Sequence, residues 1–255
     1  MARVFITGSS DGLGLLAGRQ LARAGHEVVL HARNGRRADD TRAALPDAAA
    51  VVIGDLVSLD GMREVARQAN AAGPFDAVIH NAAVGYRERP TTTPDGLNHV
   101  FAINVLAPYV LTALIARPKR LVYLSSGLHR SGDPGLDDLQ WEQRHWSGMQ
   151  AYTDSKLHDV ILAFAAARRW PDLLSNALEP GWVATKMGGT GAPDDLEAGA
   201  ATQVWLATSD DAAATVTGGY FFHQRPREAH PAARDRAVQD RLLEICAALS
   251  GTAWR

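Results

Sequence analysis

Tyr152 and Lys156 stand four residues apart in the run Ala151-Tyr-Thr-Asp-Ser-Lys-Leu-His158, in a chain with only five tyrosines and three lysines. Apolar periodicity marks the stretch from about 150 to 169 as a helix, and positions i and i+4 share a helix face. A free phenol has a pKa of about 10 and is a poor acid or base at neutral pH. An ammonium ~4 Å away, at an effective dielectric of ~20, stabilises a phenolate by roughly 4 kcal/mol, or about three pKa units. Such a shift brings general acid–base chemistry within reach of neutral conditions. The competing reading of the spacing is two surface neighbours. Two further polar positions belong with the pair. The apolar run Leu121-Val-Tyr-Leu-Ser-Ser126 ends in two hydroxyls, suited either to holding a substrate carbonyl oxygen or to capping a turn. Asn104 interrupts the apolar helical run Phe101-Ala-Ile-Asn-Val-Leu-Ala-Pro-Tyr109. Its amide needs partners there, either a water-linked relay to Lys156 or a structural hydrogen bond.

A second chemistry is written near the N-terminus. The segment Thr7-Gly-Ser-Ser-Asp-Gly-Leu-Gly14 follows a strand-like run and opens a helical one. Glycines at 8, 12 and 14 allow a sharp turn and close approach to a pyrophosphate, which the free N–H groups of the helix start then receive. After the second strand-like run the chain reads Ala32-Arg33-Asn34, with Arg36 and Arg37 following. An acidic residue at this place serves the ribose hydroxyls of NAD, whereas arginine grips a 2′-phosphate. NADP(H) is therefore favoured over NAD(H), although Asp11 inside the turn disfavours added phosphate charge. Asp55, where the third strand ends, is suited to an adenine contact or to capping the next helix.

These residues need a frame. Short apolar runs at 3–7, 27–31, 50–54, 76–80, 120–126 and 173–180 alternate with helical patterns at 13–25, 38–44, from Ser58, 95–115 and 150–169. The alternation predicts an α/β fold with a doubly wound parallel sheet of Rossmann type. No linker or repeat divides the chain, so one domain over 1–255 is expected. Two segments break the rhythm: the polar, Trp-bearing 127–150 and a glycine-rich run from 185, read as substrate loops near 127–150 and 185–215. The tail 226–255 reads as a Pro-bounded amphipathic helix.

Five ordered motifs make the chain similar to the short-chain dehydrogenase/reductase family, over residues 3 to about 225. They are the glycine turn, Asp55-Leu56, His80-Asn-Ala-Ala83, the Tyr152–Lys156 pair with its serine, and Pro180-Gly-Trp-Val-Ala-Thr185. His80 and Ala83 depart from the family's usual Asn-Asn-Ala-Gly. The resemblance implies a catalytic tetrad of Asn104, Ser126, Tyr152 and Lys156. It implies cofactor contacts at Gly8, Ser10, Gly12, Leu13, Gly14, Arg33, Asn34, Asp55, Leu56, Asn81, Ala82, Ala83, Tyr152, Lys156, Pro180, Gly181, Val183 and Thr185. Ser126 and Tyr152 are 26 positions apart, wider than in many members. The spacing resembles the retinol-dehydrogenase-like and carbonyl-reductase-like branches, and in carbonyl-reductase-like members an insertion before the tyrosine obstructs the usual helix-bundle dimer. A monomer or homodimer is expected.

Composition narrows the class. Formal net charge is −2 and charged residues make up 21%, which points to neither nucleic acid nor a basic partner. One cysteine, Cys246, forms no internal disulfide and gives no support to a metal site. No apolar run reaches the ~18 residues of a membrane span, and a cytoplasmic location is expected. The expectation is an NADPH-dependent ketone or aldehyde reductase, reversible as an alcohol dehydrogenase. Leu128, His129, Trp146, Trp182 and Met187 flank the expected site and point to an apolar or aromatic substrate. The alternative is a non-catalytic NADP(H)-sensing regulatory protein.

Overall fold

A computed structural model describes residues 1–254. Eight strands form one sheet in the order β3-β2-β1-β4-β5-β6-β7-β8. They are β1 (Arg3–Ile6), β2 (Glu27–Ala32), β3 (Ala50–Ile53), β4 (Ala77–His80), β5 (Arg120–Leu124), β6 (Leu174–Glu179), β7 (Tyr220–Phe222) and β8 (Arg225–Pro226). All neighbours are parallel except β7 and β8. Each parallel pair needs a crossover, and helices supply these: α1 (Gly12–Arg23), α2 (Gly35–Ala44), α3 (Leu59–Ala72), α4 (His99–Phe101), α5 (Ala107–Leu114), α6 (Gly148–Arg169) and α7 (Leu196–Thr208), with α8 (Arg236–Ser250) closing the chain. A π-helical turn, Ala102–Leu106, joins α4 to α5.

Strand side chains alternate between two covered faces. Val4 and Ile6 enter the core shared with Leu15, Ala17 and Leu21 of α1 and with Leu206 of α7. Phe5 between them enters the other core, with α3, α5, α6 and α8. That two-sided burial is why the strands read as continuous apolar runs. Ser58 caps α3 by accepting from the Gly61 amide, so Asp55 is not that helix's cap; its carboxylate instead accepts from the Val57 amide at 3.1 Å.

Three features depart from the expected elements. The glycine-rich run gives way to α7, whose cap Asp195 accepts from the Ala198 amide at 2.7 Å. β7 and β8 extend the sheet beyond the last expected strand. The 95–115 helix starts at His99, where Asn98 accepts from the amides of Val100 and Phe101, and is broken by the π turn at Asn104. The tail forms α8, which lies across α5 and α6. Its end is pinned by Trp254, stacked on Tyr109 and Trp170 with centroids 5.2 and 5.1 Å away.

Candidate active site

The sheet order reverses at β1, whose neighbours β2 and β4 lead away in opposite directions. Ligands in such sheets bind outside the carboxyl ends of the strands at that point. The glycine turn leaves β1 there. Gly8 has φ +61°, and a Cβ on it would lie 2.7 Å from Ala82 Cα. A Cβ on Gly14 would lie 2.5 Å from Asn81 Nδ2. Only glycine fits either place. Asn81 donates to the carbonyls of Thr7 (2.9 Å) and Gly8 (3.0 Å), and the Thr7 hydroxyl accepts from the amides of Asn81 and Ala82. The turn and the end of β4 are thus one rigid unit. The cap of α1, Asp11, forms no side-chain hydrogen bond to the helix start. The first amides of α1 remain available to an anion, so the cradle fits a dinucleotide pyrophosphate.

One supporting residue was missed by the sequence reading. His31, buried on β2, accepts from the Gly8 amide through Nδ1 (2.9 Å), while Nε2 donates to the Gly54 carbonyl (2.8 Å). This double use defines the neutral tautomer. Burial pulls its pKa below the ordinary value, against the opposing Gly54 bond and the Asp55 charge. A polar residue inside an apolar strand was the available signal.

Around the turn the remaining expected contacts gather. Arg33, Asn34 and Arg36 are exposed, and Asn34 caps α2 by accepting from the Arg37 amide. Arg37 donates to Asp11 at 2.7 Å and to Ser10 Oγ at 3.3 Å, and Lys186 reaches the same Asp11 oxygen at 2.6 Å. Asp11 is therefore paired with two cations, which removes the charge conflict expected of it. Leu56 is buried in the core. Thr185 Cγ2 would stand 3.9 Å from a Cβ on Gly12, which brings the Pro180–Thr185 segment over the turn. Gly181 takes φ +84°, and the Trp182 amide donates to Asp194 at 2.5 Å. Buried Val183 forms a bridge to Asp194, and Leu13 and Val183 both pack where Gly199 of α7 has no side chain.

The candidate tyrosine–lysine pair, on α6, is tied to the carboxyl end of β5. Lys156 and Tyr152 are buried on one face of α6, with Nζ 5.7 Å from the Tyr152 ring centroid. Tyr86 meets the same ring edge-on at 6.0 Å. Ser126 caps a 3-10 turn, Gly127–Ser131, by accepting from the Leu128 amide at 3.3 Å, which leaves its own proton free to donate. Ser125 instead donates to the Lys156 carbonyl at 2.7 Å and locks α6 to β5. Asn104 is hydrogen-bonded through both ends of its amide. Its Oδ1 accepts from the Val84 amide, and its Nδ2 donates to the Val84 carbonyl and to Ser155 Oγ at 2.9 Å. Lys156 itself donates to the Leu124 carbonyl (2.9 Å) and to Asp159 (2.7 Å). The ammonium that spacing sets beside Tyr152 is thus also half of a buried ion pair.

The flanking residues sort differently from the expectation. Leu128, Met149 and Trp182 are exposed apolar groups, and Met187 packs against Gly85. His129 is fully buried, bonded to the Ser126 carbonyl and the His230 amide and tilted against the Tyr220 ring at 4.4 Å, so it supports the site from behind. Trp146 donates to the Glu88 carbonyl and meets Trp141 edge-on. Both tryptophans anchor the 127–150 segment.

Fold and site define a dinucleotide-binding α/β protein with a tyrosine–lysine pair at the sheet's carboxyl edge. The short chain dehydrogenase family profile matches residues 2–126. An uncharacterised oxidoreductase of Emericella nidulans is 44% identical, covering 98% of both chains. Human retinol dehydrogenase 13 is 30% identical over 97% of this chain and 84% of its own. The solved structure of an uncharacterised protein from Mycobacterium paratuberculosis superposes with a TM-score of 0.86 at 26% identity, covering 100% of this chain and 95% of the other. The chain belongs to the short-chain dehydrogenase/reductase family, in its retinol-dehydrogenase-like branch, and is an oxidoreductase of a family that uses nicotinamide cofactors. Among the described residues no helix is long and apolar enough to cross a membrane.

Proposed function

We propose that the protein is an NADPH-dependent reductase of ketones or aldehydes, reversible as an alcohol dehydrogenase, acting on apolar or aromatic small molecules. The observation that carries this reading is the Tyr152 ring set against Lys156 at the carboxyl end of β5, on the same edge of the sheet as the glycine turn after β1. The dinucleotide, when bound, supplies the hydride. The glycine turn and the first amides of α1 would hold its pyrophosphate, Thr185 lies over that turn, and the exposed cations of Arg33 and Arg36 favour a 2′-phosphate. Ser126 donates to the substrate oxygen and holds the carbonyl beside Tyr152. Tyr152 gives its proton to that oxygen as negative charge develops there. Lys156 stabilises the phenolate left behind and is placed to hold the nicotinamide ribose. Asn104 shapes the wall by tying the Val84 backbone to Ser155.

Exposed Leu128, Met149 and Trp182 support an apolar substrate. A monomer is favoured, because α8 covers the outer faces of α5 and α6, and a cytoplasmic location suits a chain with one buried, unpaired cysteine. The test is NADPH consumption across ketones, aldehydes and quinones, with NADH in parallel and the Tyr152→Phe variant as control. Turnover with NADPH that falls at least a thousandfold in the variant, while the dinucleotide still binds, is the expected result. An inert panel, or a variant that keeps its turnover, overturns the reading.

A further inference from the structure

Lys156 and Asp159 lie three residues apart on α6, and each side chain is 4% exposed. An ammonium has three protons. Two of those on Lys156 are committed behind the ring, to the Leu124 carbonyl and to Asp159. A buried cation is tolerated in a packed helix–sheet interface only when it is paired and hydrogen-bonded.

We propose that Asp159 is a positioning residue of the active site, the buried counterion that keeps the Lys156 ammonium charged and fixed beneath the Tyr152 ring. This rests on the reading of Tyr152 and Lys156 as the reactive pair. The surroundings leave the task to one carboxylate. Burial pulls Lys156 down, and the charges of Asp159 and Tyr152 together with the Asp159 hydrogen bond carry it above its ordinary value. Burial pushes Asp159 up to about 6 against the pull of Lys156, so it is anionic at neutral pH.

Among the described residues, no other element brings a free charge to the pair. From β5, Tyr123 faces Asp159 with its phenol pushed up by burial and bonded to Thr112. The same Thr112 bonds His80 of β4, which burial holds neutral at about 3. Behind Ser126, burial likewise keeps His129 low, at about 4. On β7, burial raises the Tyr220 phenol, and Glu179 at the end of β6 is taken by Arg130. His158, two positions on from Lys156, is pulled down by burial and acted on by Arg144 and Asp133 rather than by this pair.

The chain's three lysines make the test direct, because Lys119 and Lys186 are each 82% exposed. In full-length protein labelled with ¹³C at lysine Cε, NMR titration from pH 6 to 10.5 follows all three amines, and Lys156→Met assigns the buried one. Lys156 is expected to titrate no lower than the two exposed lysines. In Asp159→Asn its titration should fall by at least tenfold in proton affinity, and carbonyl reduction should acquire an alkaline limb that the wild type lacks. A wild-type Lys156 that titrates below the exposed pair overturns the proposal, as does an Asp159→Asn variant with unchanged titration and pH profile. Should that variant fail to fold, the wild-type titration decides together with Asp159→Glu, which keeps the charge and should keep Lys156 high. The titration needs no turnover. An inactive enzyme with a high Lys156 therefore sinks the catalytic reading alone, and an active one with a low Lys156 sinks only the counterion.

Discussion

His31 is held by two backbone groups that nothing else satisfies: it accepts from Gly8 and donates to Gly54. Replacing it with alanine takes the partner from a half-buried amide and a half-buried carbonyl, at a cost of about 1 kcal/mol each. The glycine turn loosens first, so His31→Ala is expected to weaken NADPH binding at least tenfold, measured by fluorescence titration. Ser126→Ala removes the donor to the substrate oxygen and should lower kcat by roughly a hundredfold with little change in dinucleotide affinity. These two residues differ in how far the sequence revealed them. Ser126 ends an apolar strand and announces itself by position. His31 sits within a strand, and its partners lie 23 residues away in either direction, so only folding shows what it holds.

The glycine turn works as an element because it is pressed against a second one. Gly8→Ala would force a side chain into a left-handed backbone, which costs about 1–2 kcal/mol, and would drive Cβ to 2.7 Å from Ala82 Cα. The expected outcome is a lowered melting temperature together with loss of NADPH binding; a variant that binds as the wild type does would show that the turn yields. The 127–150 segment is held in a different way. Asp154 of α6 accepts from the Asp133 amide at 2.8 Å and from Arg144 at 3.1 Å, and Arg144 stacks over Trp141 at 3.8 Å. Asp154→Asn should therefore free this segment without unfolding the sheet. Faster amide exchange and proteolysis confined to 131–147 would be the reading, and unchanged protection would contradict it.

Across the whole molecule, the C-terminal end is a clamp. Trp254 stacks on two rings and donates to the Tyr109 carbonyl, so Trp254→Ala should cost about 3–5 kcal/mol in urea unfolding. Acid stability is also a property of the whole fold. Burial holds His80 at about 3 and His129 and His158 at about 4, all below an unfolded value of about 6.5. The unfolded chain takes these protons first. Stability is then complete above about pH 6.5 and is lost as pH falls toward 4, by a few kcal/mol in sum at pH 5. Asp159, raised to about 6 by burial, runs the other way and offsets part of the loss. Urea midpoints that stay level from pH 7 to 5 would refute this balance. What the chain by itself determined was everything carried by near neighbours: the strand–helix rhythm, the glycine turn, the Tyr152–Lys156 spacing and the start of a helix at Ser58. Periodicity and caps act within a few residues, so they survive as pattern. What only the tertiary structure decided was the company these residues keep. The carboxylate is three positions from Lys156, but its burial depends on the packing of α6 against β5, where it faces Tyr123, and Asn104 meets Ser155 from 51 positions away. The conversion of the glycine-rich run into α7 likewise follows from packing on Leu13 and Val183, contacts that no local pattern encodes.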